Sequence, residues 1–180
     1  MPIAPPICYV TLRAAQRRIP KSSMHPPTAT ASVRVRRAET SDLDDLVLLE
    51  DHTFDSDRLS RAQYRRHLDS DSALVLVASA NHRNFLGTAV MFFRKGSRVA
   101  RLYSIASKPE ARGKGVGAAL LEAVEAVARQ RRCHAVRLEV RDDNASAVRL
   151  YERHGYRHIG HYPHYYQDGT HAWRYEKSLG

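Results

Sequence analysis

Three apolar runs, Ala73–Ala80, Phe85–Phe93 and Val99–Ala106, follow one another with only short polar turns between them, Asn81–Asn84 and Lys95–Arg98. A parallel pair of strands needs a crossover of a dozen residues or more, so turns this short indicate an antiparallel meander. The segments around it set the rest of the architecture. Val33–Ala38 alternates apolar and basic residues like a half-exposed strand. Thr40-Ser41-Asp42 offers caps for a helix through about Phe54, with Leu43, Leu46, Val47 and Leu49 inward. Ser60 and Gln63 form a capping box for a second helix through about Leu68. After Pro109 come a glycine-rich turn and a helix over about Val116–Arg131, then a strand, Ala135–Arg141. A helix from Asn144 ends at Gly155, a suitable left-handed stop. Two strands, about Tyr156–Tyr162 and His171–Lys177, close the chain. The order β-α-α-β-β-β-α-β-α-β-β predicts an α/β (α+β) fold: a mixed sheet of about seven strands with about four helices on both faces.

The 180 residues suffice for one domain, and the 43% hydrophobic content suffices for its core. No apolar run approaches the ~20 residues of a membrane-spanning helix. Cys8 and Cys133 form no CxxC pair, which excludes a zinc ribbon or a disulfide framework and fits a reducing, cytoplasmic setting. The net charge of +10 suggests a nucleic-acid partner until it is located. Residues 1–38 hold seven bases and no acid, and six of the eight prolines fall before residue 28. Residues 1–32 are therefore expected to be a disordered basic tail, with residues 33–180 as the domain. The tail has the basic, acid-free look of a transit peptide, but its prolines oppose the amphipathic helix such a peptide needs. Met24 is a second candidate initiator, in which case residues 1–23 would not be translated. From Glu39 onward 22 bases face 19 acids, an ordinary balance, and no nucleic-acid recognition motif is present.

The turn Arg112-Gly113-Lys114-Gly115-Val116-Gly117-Ala118 joins a strand to a helix. Its glycines permit a sharp turn with exposed N–H groups, and the following helix N-terminus favours an anion. It lacks the GxxxxGK[ST] of a Walker A loop. Gly113-x-Gly115-x-x-Ala118 satisfies the dinucleotide pattern literally, with Glu139 downstream. However, the preceding strands are antiparallel, and Lys108–Arg112 separates them from the glycines. A flexible strand-to-helix turn accounts for one or two of the glycines but not for three beside Arg and Lys. A cradle for a pyrophosphate is a third reading.

Arg112-x-x-Gly115-x-Gly117 resembles the R/Q-x-x-G-x-G/A signature of the GNAT N-acetyltransferases. Ile105-Ala106-Ser107-Lys108-Pro109-Glu110, Leu138-Glu139-Val140-Arg141-Asp142-Asp143-Asn144-Ala145-Ser146-Ala147 and Leu150-Tyr151-Glu152-Arg153-His154-Gly155-Tyr156 resemble further segments of that family. Over about residues 33–180 the combination is similar to its RimI-type branch, which acetylates the N-terminal amine of a ribosomal protein. The resemblance implies an acetyl-CoA-dependent N-acetyltransferase. The main chain of Ile105, Ala106 and Ser107 would pair with the pantetheine arm. Arg112 and the turn Gly113, Lys114, Gly115, Val116, Gly117 and Ala118 would hold the pyrophosphate, and Asn144 would contact the pantetheine. Ser107 replaces a commoner valine, a small change for a main-chain contact.

Acetyl transfer to an amine requires a proton to leave the ammonium and a proton to reach the departing thiolate. By alternation Glu139 lies on the strand face opposite Val136, Leu138 and Val140. By position alone it is a solvent-facing carboxylate beside Arg137 and Arg141; by resemblance it is the general base, acting through water. Tyr151 is either a core tyrosine of an amphipathic helix or, by resemblance, the general acid. Asn144 also reads as a helix N-cap. Tyr165-Tyr166-x-Asp168-Gly169 reads as a turn flanked by aromatics, and resembles the tyrosine-bearing hairpin that closes the acceptor pocket of N-terminal acetyltransferases. Where the RimI branch has F-P-W-S, this chain has Phe54-Asp55-Ser56-Asp57-Arg58-Leu59-Ser60, so Asp55 or Asp57 is expected to attract a cationic acceptor. His154, His158, His161, His164 and His171 crowd the C-terminal segment, but Gly155 and strand alternation separate them, so no metal is expected. The acceptor expected is a protein or peptide N-terminal amine, with a small-molecule amine second. No specific nucleic acid or membrane partner is expected, and the chain is a monomer or homodimer. A non-catalytic acyl-CoA-binding module is the rival reading.

Overall fold

The structure, a computed structural model, describes residues 33–54, 58–80 and 84–180. The proposed tail 1–32, Asp55 and Asp57, and residues 81–83 of the first meander turn lie outside the described residues. The elements are β1 (Val33–Arg37), a 3-10 turn (Thr40–Asp42), α1 (Leu43–Thr53), α2 (Arg61–Leu68), β2 (Ala73–Ala80), β3 (Asn84–Phe92) and β4 (Val99–Ser107). A second 3-10 turn (Pro109–Ala111) leads to α3 (Val116–Gln130), β5 (Ala135–Arg141), α4 (Ala145–Arg153), β6 (Arg157–Tyr162) and β7 (Ala172–Ser178). The expected order of seven strands and four helices is present, with boundaries shifted by at most a few residues. One such shift falls at the first helix, where Thr40–Asp42 winds as 3-10 before the α-helix starts.

The strands form one sheet in the order β1-β2-β3-β4-β5-β7-β6, antiparallel everywhere except between β4 and β5. Strand alternation divides the apolar side chains between two cores. Leu102, Ile105, Val136, Leu138 and Val140 pack with Leu120, Leu121, Val124 and Tyr151 of α3 and α4. Val75, Val77, Val90 and Tyr103 pack with Leu43, Leu46, Phe54 and Tyr64 around α1 and α2. No helix among the described residues is long and apolar enough to cross a membrane.

β4 and β5 pair over only four residues each, Val99–Leu102 against Ala135–Leu138. The cause lies on the other side of β4. Val90 pairs with Ser104 but Met91 pairs with Leu102, so Tyr103 is an extra residue in β4. Such a bulge bends and twists its strand, and β4 parts from β5 at that point. Beyond Leu102, the β4 edge towards β5 carries no strand partner among the described residues, while the opposite edge still pairs Ile105–Ser107 with β3.

One buried acid escapes the periodicity. Glu50, 2% exposed near the end of α1, accepts from the Leu59 N–H at 2.8 Å and from the Tyr64 hydroxyl at 2.6 Å. It ties the chain after α1 to the start of α2. Burial, opposed by these two donors, raises its pKa to about 7. A glutamate in the unfolded chain ionises near 4.3. Between those values the folded protein holds a proton that the unfolded chain releases, so the contribution of Glu50 to stability falls as pH rises from about 4.3 to 7. The full span corresponds to about 3 kcal/mol. Thermal melts of Glu50→Gln against the parent at pH 5 and pH 8 are expected to show a smaller loss across that interval for the variant. An unchanged slope would place the titrating group elsewhere.

Candidate active site

The strand-to-helix turn folds as its glycines require. Gly113 and Gly115 adopt φ of +73° and +80°, a region that costs other residues strain, and Gly115 caps α3. The first main-chain bond of α3 runs from the Ala119 N–H to the Gly115 carbonyl at 2.9 Å, and no side chain caps the helix. The N–H groups of Val116, Gly117 and Ala118 therefore have no acceptor within the helix. Together with the helix dipole they form an anion-favouring end.

That end opens on a cleft of about 410 Å³ between the free edge of β4, the turn and α4. Ile105, Ala106, Ser107, Arg112, Gly113, Gly115, Val116, Gly117 and Ala118 all line it. Of the cofactor residues expected from the sequence, Lys114 and Asn144 do not line it. Lys114 is exposed, and the Asn144 side-chain oxygen Oδ1 caps α4 by accepting from the Ala147 N–H at 3.1 Å. α4 and its C-cap contribute residues that sequence reasoning missed: Ser146, Arg149, Leu150 and Arg153 on the helix, and His154 at its end. Their spacing of three and four marks one face of a helix. The opposite face carries Ala147, Val148 and Tyr151, which pack into the α3/α4 core. Arg112, Arg149 and Arg153 bring positive charge to the cleft. An extended, amide-bearing polyphosphate ester such as coenzyme A fits this lining: an unpaired strand edge for its amides, and free helix N–H groups and guanidinium groups for its phosphates.

Glu139 lies one residue past the last position at which β5 pairs with β4. Its neighbours Leu138 and Val140 enter the α3/α4 core, so its side chain takes the opposite face, as alternation predicts. It is not solvent-facing, however: it is fully buried, with 0% exposure. Arg174 stands directly across on β7 and donates through Nε to Oε1 at 2.8 Å. Arg101 of β4 donates through Nε and Nη2 to Oε2 at 3.2 and 3.1 Å. The sequence neighbours Arg137 and Arg141 turn elsewhere. Arg137 pairs with Glu176, and Arg141 pairs with Asp143 and Asp168. A carboxylate offers about four acceptor positions, so the fourth remains on Oε1.

Tyr165, half-buried in the β6–β7 connection, accepts from Arg101 Nη2 at 3.1 Å. Burial, followed by the neighbouring Glu139, pushes its phenol well above the usual range and keeps it protonated. Tyr166 is 3% exposed and belongs to the α1/α2 core, with the Arg141 guanidinium 5.3 Å from its ring centre. It therefore packs the connection rather than facing a ligand space. The connection is held by Asp168, whose carboxyl is lowered to about 2 by the Thr170 N–H and Arg141. Tyr151 is fully buried in the α3/α4 core, its ring 5.7 Å from that of Tyr156. Glu139 and Tyr151 thus approach from opposite faces of the sheet, both fully buried, and neither lines the cleft. Among the described residues, no group of three or more His, Cys, Asp or Glu is placed to hold a metal ion.

Residues 39–156, about two thirds of the chain, match the acetyltransferase (GNAT) family. An uncharacterised N-acetyltransferase of Methanocaldococcus jannaschii is 43% identical over 72 residues, 39% of this chain and 46% of that protein. The chain thus spans about half the length of this curated relative. Among solved structures, the ribosomal-protein-S18-alanine N-acetyltransferase of Escherichia coli superposes with a TM-score of 0.72 at 24% identity, over 83% of this chain and 95% of that one. The dodecameric spermidine N-acetyltransferase of Vibrio cholerae gives 0.72 at 21% identity, over 82% and 94%. At these identities the likeness is one of fold, shared by enzymes named for a protein acceptor and for a polyamine. The family match covers the meander, the glycine turn, the parted strands and the helix bearing Tyr151, and the chain belongs to the acetyltransferase (GNAT) family.

Proposed function

We propose that this chain transfers the acetyl group of acetyl-CoA to a primary amine, the α-amine of a peptide or protein N-terminus. The observation that carries the reading is the cleft itself, an unpaired β4 edge leading to the uncapped amides of α3. Acetyl-CoA supplies a thioester activated toward attack by an amine. The Ile105–Ser107 main chain, the amides of Val116, Gly117 and Ala118, and Arg112, Arg149 and Arg153 would hold it. The amine nitrogen attacks the acyl carbon, and the carbon–sulfur bond breaks as the amide forms. Glu139, through water at Oε1, takes the proton the nitrogen loses. Tyr151 donates its phenolic proton from Oη to the departing sulfur.

A thiol-release assay with acetyl-CoA against N-terminal peptides and polyamines tests this reading. Turnover on an amine is expected. Tight coenzyme A binding without turnover on any amine would instead mark a non-catalytic acyl-CoA-binding module. Within the same assay, Arg149→Ala and Arg153→Ala are each expected to raise KM for acetyl-CoA about 3- to 10-fold with a much smaller change in kcat, because both act on a phosphate outside the reacting bonds. A KM that stays unchanged in the double variant would remove α4 from the binding site.

A further inference from the structure

The charge around Glu139 is lopsided. One fully buried carboxylate is flanked by two guanidinium groups that are themselves partly open, with side-chain exposures of 35% for Arg101 and 25% for Arg174. Arg101 spends Nε and Nη2 on Glu139 and Tyr165, and Arg174 spends only Nε. Nη1 of Arg101 and both Nη atoms of Arg174 have no hydrogen-bond partner among the described residues. The Arg174 guanidinium is fixed in place, lying 4.2 Å from the centre of the Tyr162 ring. Among the described residues, an acceptor reaching Glu139 therefore meets two guanidinium groups against one carboxylate, with several preoriented N–H donors.

We propose that Arg101 and Arg174 select an amine that carries a carboxylate near its nucleophilic nitrogen, foremost a peptide N-terminus with Asp or Glu in its first residues. The proposal rests on the acetyltransferase reading and names its acceptor class. The donors left over on the two arginines suit a carboxylate, which accepts charge-assisted hydrogen bonds in a fork geometry. The same positive excess favours the neutral amine over the ammonium, which is the form that attacks. A polyamine suffers twice, since its second ammonium enters a positive field with no partner. The expectation of a cationic acceptor drawn to Asp55 or Asp57 is the direct competitor, and one experiment separates the two.

The full chain is assayed with acetyl-CoA against two peptides differing only in Glu or Lys at the second position, against free glutamate, and against spermidine. The expected result is a kcat/KM about tenfold higher or more for the Glu peptide than for the Lys peptide, with spermidine poorest. Arg174→Gln is expected to bring the Glu/Lys ratio close to one, and Arg174→Lys to restore part of it. Because each ratio is taken on one preparation, incomplete folding of a variant cancels. Faster turnover of free glutamate than of the Glu peptide would support the same carboxylate recognition with an amino acid as its source. Turnover without charge preference, a preference for Lys or spermidine, or a Glu preference retained in Arg174→Gln would overturn the proposal and leave acetyl transfer standing. No turnover on any amine would overturn the acetyltransferase reading itself.

Discussion

Glu139→Gln is expected to lower kcat by about 100-fold or more, the range typical for loss of a positioned proton acceptor. The substitution preserves shape but removes the charge and the basic oxygen. It also has a structural consequence. Glu139 has 1% side-chain exposure and satisfies Arg101 and Arg174 at 3.1 and 2.8 Å. A glutamine amide turns one of its ends from acceptor to donor, so one guanidinium loses its partner and faces an N–H. With both arginines partly exposed, the expected destabilisation is about 1–3 kcal/mol rather than the larger cost of orphaning a deeply buried ion. The two effects separate by measurement. Thermal melts give the folded fraction, and turnover per folded molecule at several pH values gives the catalytic loss. A variant that is less stable yet turns over at the parental rate per folded molecule would reduce Glu139 to the centre of an ion cluster.

Gly87→Ala is expected to cost about 2–3 kcal/mol of stability and to weaken acetyl-CoA binding as well. A Cβ on Gly87 would lie 2.5 Å from the Ala106 carbonyl oxygen, 3.0 Å from Val116 Cγ1 and 3.1 Å from the Ser107 Cα. Two of these are main chain and cannot step aside alone, so β4 must move away from β3. Ala106, Ser107 and Val116 all line the cleft. Displacing them shifts the strand edge and the first turn of α3 together, which couples packing to cofactor binding. Denaturant unfolding of the variant, with titration of coenzyme A into the folded protein, checks both halves. A variant of parental stability would show that the β3–β4 contact is looser than the geometry indicates.

Much of this protein was legible locally. The apolar runs and their short turns implied the meander, the Ser60–Gln63 box implied α2, and both were found at those residues. The glycine turn was legible because left-handed φ values and uncapped amides are consequences of a few consecutive residues, and nine of the eleven cofactor positions expected from the sequence line the cleft. Alternation along β5 also placed Glu139 on the correct face.

What alternation does not carry is what covers that face. The partners of Glu139 come from 38 residues before it and 35 residues after it, on strands that adjoin β5 only once the sheet has assembled. The arginines adjacent in sequence, Arg137 and Arg141, suggested a solvated charge run and proved to have other partners. The bulge at Tyr103 is equally silent in the sequence, because an extra residue exists only relative to the register of β3. Local pattern determined the elements, their order and the anion-binding turn, since each depends on backbone and side-chain chemistry within a few residues. Only the tertiary structure decided where the sheet opens, that Glu139 is buried between two guanidinium groups, and which face of α4 meets the cleft. Those depend on register and on the sign of charges brought together across the sheet.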